Sequence, residues 1–286
     1  MACRQIVNCL IENVLHLEET SDSGNSSQRL VACLTTLYLF AKIRPQLLVS
    51  HALTLQPYLS LKCQSPGDVQ IISCVARMLE LVVPLMEHPG ESFLAQLEED
   101  SMKLILQHDR VIVSSCLSCL GSIVNNVTRN FKLIRDCFNK YYDYLLKTKM
   151  WLETDTETMR LRDNKHRRYF RRALFIVGLL LRHFDFKEPE VIGDLPANIK
   201  DQVYSTMSFF LHQNDVDIQA NTLKAVGSIC IRHCEFMLQN DLKVFYHNML
   251  MSDKVPLKMK SEVLINIEKY LLEEDRRMVQ QNLECE

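Results

Sequence analysis

The chain of 286 residues is 47% hydrophobic, carries a formal charge of −2 with a pI near 6.5, and contains only seven Gly and eight Pro. Such a balance excludes a molecule that is basic throughout, and once turns and helix positions are served no glycine remains for a phosphate-cradling loop, a G-x-S-x-G elbow or a dinucleotide fingerprint. Eleven Cys without a signal peptide read as reduced thiols of a cytosolic or nuclear protein.

In chain order, Cys3 to Leu17 holds Ile6, Leu10, Val14 and Leu17 at helical spacing, with Val7, Ile11 and Leu15 apolar on the opposite side. The end of a solenoid needs a polar outer face, so this two-sided helix leads to the expectation that the array once continued, or is continued in another gene product, before it. Glu18 to Ser27 reads as a loop, Arg29 to Ala41 as a helix stopped at Pro45, and Gln46 to Leu61 as its mate. The turn Ser65 to Asp68 opens a helix from Val69 to Met86, kinked at Pro84. Glu91 to Gln107 follows, and then Val111 to Thr128, with Asp109 as an N-cap whose carboxylate accepts the first amide hydrogens. That uncharged stretch is interrupted by Ser, Asn and Gly, and the strongest apolar run, Ala173 to Leu181, is far short of the roughly 20 residues a bilayer requires, so no membrane partner is expected. Phe131 to Lys149 is a long, basic, aromatic helix. Met150 to Asn164 loses its period and reads as a loop, Lys165 to Phe184 is the next helix, and Lys187 to Asn198 the next loop. Ile199 to His212 with Val216 to Arg232, and Glu235 to Met251 with Pro256 to Arg277, form two helical hairpins.

A repeated frame runs through these elements. Asp109, Ile112, Leu117, Leu120, Gly121 and Ile123 recur at the same offsets as Asp215, Ile218, Leu223, Val226, Gly227 and Ile229, and His166, Tyr169, Leu174, Val177 and Gly178 form a weaker copy. Frame starts at Ser26, Asp68, Asp109, His166, Asp215 and Asp253 are 42, 41, 57, 49 and 38 residues apart, the range of HEAT and armadillo repeats. An interior helical Gly costs about 1 kcal/mol against Ala, so Gly121, Gly178 and Gly227 in one register predict close approach of a neighbouring helix. The expected fold is all-α, an α-solenoid of HEAT-type antiparallel helix pairs. It would be a single array over residues 1–286 of about six units, with long loops near 150–164 and 187–198.

The charge is unevenly spread. From Arg129 to Arg172 thirteen Lys or Arg accompany six Asp or Glu, a net +7 against −9 for the remainder. At 100° per residue from Phe170, Leu174, Val177 and Leu181 lie within about 40° and mark the core side of their helix. Lys165, Arg167, Arg168, Arg171, Arg172 and Arg182 spread from about 60° to about 220°, with Phe175 among them. Arginine forks grip phosphate and a neighbouring ring can stack. Lys165, Arg167, Arg168, Arg171 and Arg172, with Lys132 and Arg135 on the preceding helix, are therefore the candidate contacts to nucleic acid or an acidic partner. The competing reading is a solvated face neutralised by acidic neighbours. Glu98, Glu99, Asp100 and Glu273, Glu274, Asp275 read as solvated acidic faces, because consecutive helical residues diverge. Cys116 with Cys119, and Cys230, His233 and Cys234, lack the paired knuckles that zinc takes, so no metal, cofactor or catalytic residue is expected.

Several blocks carry a more specific signal. RLVACLTTLYLFAKIRPQLLVSHALTLQPYLSLKC from Arg29, ARMLELVVPLMEHPGESFLAQLEEDSMKLI from Ala76 and SSCLSCLGSIVNNVT from Ser114, continued by RHFDF from Arg182, NIKDQV from Asn198 and YLLEEDRRM from Tyr270, resemble the large subunit of the cohesin loader, the Nipped-B or adherin family. The resemblance implies part of the HEAT-repeat hook of a non-enzymatic nuclear protein. Such a protein grips the SMC ATPase heads and kleisin of cohesin, binds DNA and supports cohesin loading and sister-chromatid cohesion. Family members are several times longer; their disordered N-terminal region and the segment that binds a TPR-repeat partner are absent from these residues, so that partner is not expected. Without the resemblance, the alternative is a protein-binding α-solenoid, an adaptor or transport scaffold with no nucleic-acid contact.

Overall fold

The computed structural model describes residues 2–19, 24–154 and 163–284, and no strand occurs among them. The chain forms two compact units, Met1–Arg129 and Asn130–Glu286. The first contains α1 (Ala2–Glu19), α2 (Gly24–Ile43), α3 (Ala52–Leu55), α4 (Pro66–Val82), α5 (Glu91–Gln107) and α6 (Arg110–Ile123). Helix α4 is its hub, with α2 and α6 both packed on it, α1 on α2 and α5 on α6. Its start is fixed by a capping box in which the Asp68 amide donates to Ser65 Oγ at 3.2 Å and the Ser65 amide donates to the Asp68 carboxylate at 2.7 Å. Being flanked on two sides, α4 buries Ile71, Ile72, Val75, Met78 and Leu79, more than one helical face. Small polar groups let α6 approach it: Ser73 and Ser115 hydroxyls lie 2.6 Å apart, and Ser118 and Ser122 donate to the Glu80 carboxylate and carbonyl.

The segment Arg110–Thr128, α6 with a π-helical turn at Val124–Thr128, is long and apolar enough by length and composition to cross a membrane, yet 56% of it is buried inside the fold. Several expectations are corrected in this unit. Helix α1 reaches Glu19 and α2 begins at Gly24, so the loop expected over Glu18 to Ser27 is helical at both ends, and residues 20–23 lie outside the described residues. The helix expected over Gln46 to Leu61 is a series of 3-10 turns around α3, and Pro57, which has no amide hydrogen and whose ring obstructs the carbonyl four residues back, accounts for the end of α3 at Leu55. Asp109 holds the N-cap position of α6 without a side-chain cap bond. Glu98 and Asp100 are buried rather than solvated. Thr128 Oγ1 donates to Glu98, and Gln56 and Gln96 amides donate to the two Asp100 oxygens at 2.9 and 3.0 Å.

The second unit contains α7 (Phe131–Glu153), α8 (Asn164–His183), α9 (Pro189–Ile192), α10 (Ile199–Leu211), α11 (Val216–Ile229), α12 (Glu235–Leu238), α13 (Asn240–Met251) and α14 (Leu257–Glu284). Helix α8 packs on α7 and α11, and α11 on α10 and α14. The shared glycine register explains this stacking. A Cβ on Gly178 would lie 3.0 Å from Ala225 Cα and 3.2 Å from its carbonyl oxygen on α11, and one on Gly227 would collide with the Asn266 carboxamide on α14. The frame start at His166 is displaced, because α8 begins a turn earlier, where Asp163 accepts the Lys165 amide hydrogen at 3.1 Å. Residues Met150 to Glu153, expected in a loop, complete α7, and residues 155–162 lie outside the described residues. The expected helix Glu235 to Met251 is broken at Gln239, whose backbone is extended.

Candidate nucleic-acid and partner interface

The second unit sorts the cations of α8 by what lies beside them. Phe170, Leu174, Val177 and Leu181 are buried, as their spacing predicts. Toward α11, Arg167 pairs with Asp215 at 2.8 Å and Asp217 at 3.6 Å, and Arg171 directs Nε and Nη2 at Asp217 Oδ2 from 2.9 and 2.8 Å. These carboxylates are also structural within α11, since Asp215 Oδ1 accepts the amide hydrogens of Asp217 and Ile218 as the N-cap. Negative charge in this first turn suits the helix dipole, so each aspartate serves both the helix end and the neighbouring helix. Toward α7, Arg172 Nε donates to Tyr141 Oη at 3.3 Å, beside the stacked pair Tyr141 and Tyr169. Arg167, Arg171 and Arg172 thus make contacts between helices while staying partly exposed. The exposed cations of α8 are Lys165, Arg168 and Arg182.

Arg135 is also turned inward. Its guanidinium pairs with Asp194 at 2.9 Å and donates to the Glu190 carbonyl at 3.0 Å, closing the loop after α9. Gly193 in that loop has φ +53°, so the backbone requires glycine, and a Cβ there would come within 2.6 Å of the Arg135 guanidinium and push that flexible side chain aside. Lys132 is exposed on the first turn of α7. The T-shaped contact of Phe131 with Phe184 places that turn beside the end of α8, near Arg182 and a helix length from Lys165 and Arg168. Arg232, which sequence reasoning missed, donates to the Arg182 carbonyl at 3.1 Å and is exposed. The outward cations therefore form two groups, Lys165 with Arg168 at one end of α8 and Arg182 with Arg232 at the other.

Burial keeps the sulfur and imidazole groups quiet. It pushes the Cys116 thiol up to about 12 and raises Cys119 and Cys230 in the same direction. His233 is fully buried, 3.7 Å from Glu235 and 4.0 Å from Asp185, and burial lowers it. Burial raises the Glu235 carboxyl, but hydrogen bonds from Lys200 and Lys187 outweigh it and hold the group at about 2. His183 is lowered to about 4, first by burial and then by Arg182 and Arg232. Between about 6.5 and about 4 the unfolded chain binds a proton at His183 that the folded chain refuses, so its contribution to stability falls as the pH drops through that window. Thermal midpoints followed from pH 7 to 4 should decline less steeply in His183→Gln than in the parent chain.

Paired helices stacked through glycine contacts and ion pairs define an all-α HEAT-type helical-repeat protein. No protein-family model matches the chain. It is 46% identical to the Nipped-B-like protein of Homo sapiens over 283 residues, 98% of this chain and 10% of that protein. It is 39% identical to the Nipped-B protein of Drosophila melanogaster over 290 residues, 100% of this chain and 14% of that protein. Its fold matches the C-terminal fragment of the Chaetomium thermophilum cohesin loader with a TM-score of 0.78 at 17% identity, over 96% of this chain and 20% of that one. The chain belongs to the Nipped-B family, of whose curated vertebrate members it spans about a tenth.

Proposed function

We propose that this chain is a non-enzymatic, nuclear HEAT-repeat module that contacts cohesin, through its SMC heads and kleisin, and DNA, in support of cohesin loading and sister-chromatid cohesion. The observation that carries the reading is identity of 46% to a Nipped-B-like protein along 98% of the chain. The fold similarity to a cohesin loader fragment adds to it. Lys165, Arg168, Arg182 and Arg232, with Lys132, are the proposed phosphate contacts. They are among the exposed basic groups on or beside α8, and DNA affinity is dominated by such charges. Arg135, Arg167, Arg171 and Arg172 belong instead to the proposed scaffold that positions them.

The test is capture of purified SMC head domains bound to their kleisin by the immobilised chain. Retention that is saturable and competed by free chain supports the proposal. Failure to retain them at any ionic strength removes the cohesin part of it.

A further inference from the structure

An open groove of about 400 Å³ runs between α7, α10 and α13 of the second unit, and α14 takes no part in it. One wall is closed on itself. Tyr204 Oη and Ser208 Oγ both donate to the Asp241 carboxylate on α13, and the Tyr204 ring meets Phe236 in a T-shaped contact. The other wall keeps unspent groups. Lys149, near the end of α7, holds its ammonium 5.3 Å from the centre of the Phe209 ring and has no carboxylate partner among the described residues. The Ser205 hydroxyl is exposed and has no hydrogen bond to another described residue. His212 Nδ1 lies 2.7 Å from the Ser208 carbonyl, and its ring is 5.2 Å from Phe245. Nδ1 therefore carries the hydrogen, and in the neutral ring Nε2 is an acceptor.

These contacts hold the walls in place before a ligand arrives, so binding orders few side chains. The groove offers donors at Lys149 and Ser205, and acceptors at His212 Nε2 and the Asp241 carboxylate. One ammonium balances one carboxylate. A nucleic-acid strand brings a charge at every nucleotide and would set phosphate against Asp241. A phosphorylated side chain carries close to two charges and is ordinarily held by a cluster of arginines, of which the groove has none. A peptide segment with an acidic side chain meets both walls, because its carboxylate accepts from Lys149 and Ser205 while its main-chain N–H groups face the acceptors. We infer that the groove between α7, α10 and α13 binds a short segment of a partner protein through one aspartate or glutamate seated on Lys149 and Ser205. It shares no residue with the cationic surface of α8.

The experiment titrates short alanine peptides, blocked at both ends and carrying a single central glutamate, glutamine or phosphoserine, into the full isotope-labelled chain and follows them by NMR. The glutamate peptide should shift the resonances of Lys149, Ser205 and His212. It should bind about tenfold more tightly than the glutamine peptide, the difference between a charge-assisted and a neutral hydrogen bond. Lys149→Gln should remove that preference and Lys149→Arg should keep it, both with the helical content unchanged by circular dichroism, because the ammonium takes part in no ion pair among the described residues. No binding of the glutamate peptide, equal binding of the glutamate and glutamine peptides, shifts confined to other parts of the chain, or a preference that survives Lys149→Gln overturns the inference. So does tighter binding of the phosphoserine peptide, which would assign the groove to phosphate.

Discussion

Replacing Gly178 by leucine should lower the stability of the second unit by about 3 kcal/mol, at the upper end of ordinary overpacking costs. The cause is the identity of the neighbour. A flexible side chain could move aside, but the atoms facing Gly178 are the Cα and carbonyl oxygen of Ala225, and moving them displaces α11. Even alanine tests the point. In an exposed helix interior Gly→Ala gains about 1 kcal/mol from propensity. Here a Cβ 3.0 Å from backbone offsets that gain, so Gly178→Ala should be destabilising. At Gly227 the same register meets a side chain. Asn266 is buried and donates to the Leu223 carbonyl at 2.8 Å and to Tyr246 Oη at 3.1 Å. Gly227→Ala should therefore be destabilising alone and much less so combined with Asn266→Ala, a coupling that a double-mutant cycle in urea reads directly. Neutral single variants with additive effects would contradict the packing account.

Charge reversal on α8 should split by position. Arg168→Glu with Arg182→Glu should weaken duplex DNA binding by tenfold or more and lower the slope of log affinity against log salt by about two, with an unchanged thermal midpoint. Arg167→Glu with Arg171→Glu should do the reverse. Those side chains are 29% and 40% exposed and face Asp215 and Asp217, so reversal replaces attraction with repulsion at the start of α11. Partly exposed pairs of this kind contribute about 1 kcal/mol each, and reversal costs more than loss, so the midpoint should fall. If both pairs affected DNA equally at constant stability, the division into outward and structural arginines would be wrong.

The same division shows how far residues alone can be read. Helical period placed Phe170, Leu174 and Val177 on the core side because it depends on spacing within one helix, and the repeated frame predicted the close helix contacts at Gly178 and Gly227. The fate of the arginines did not follow. Their partners Asp215 and Asp217 lie 46 to 50 residues later, and only the stacking of α8 on α11 brings them near. The D-x-D of Asp215 and Asp217 at the start of α11 is the signal available in the sequence, where Asp215 counts only as the start of a repeat frame. Glu98 and Asp100 were misplaced for a related reason: their neighbours Thr128 and Gln56 come from other segments. Short breaks at Pro57 and Gln239 were missed because the apolar pattern continues across them.

The central claim is that one module contacts both cohesin and DNA, and bridging measures it directly. Purified cohesin can be passed over tethered duplex DNA at an ionic strength where it is not retained alone, with increasing amounts of this chain. The account predicts retention that rises with added chain, saturates, and is lost with Arg168→Glu and Arg182→Glu. Retention that is absent at every concentration, or unaffected by those substitutions, would contradict it.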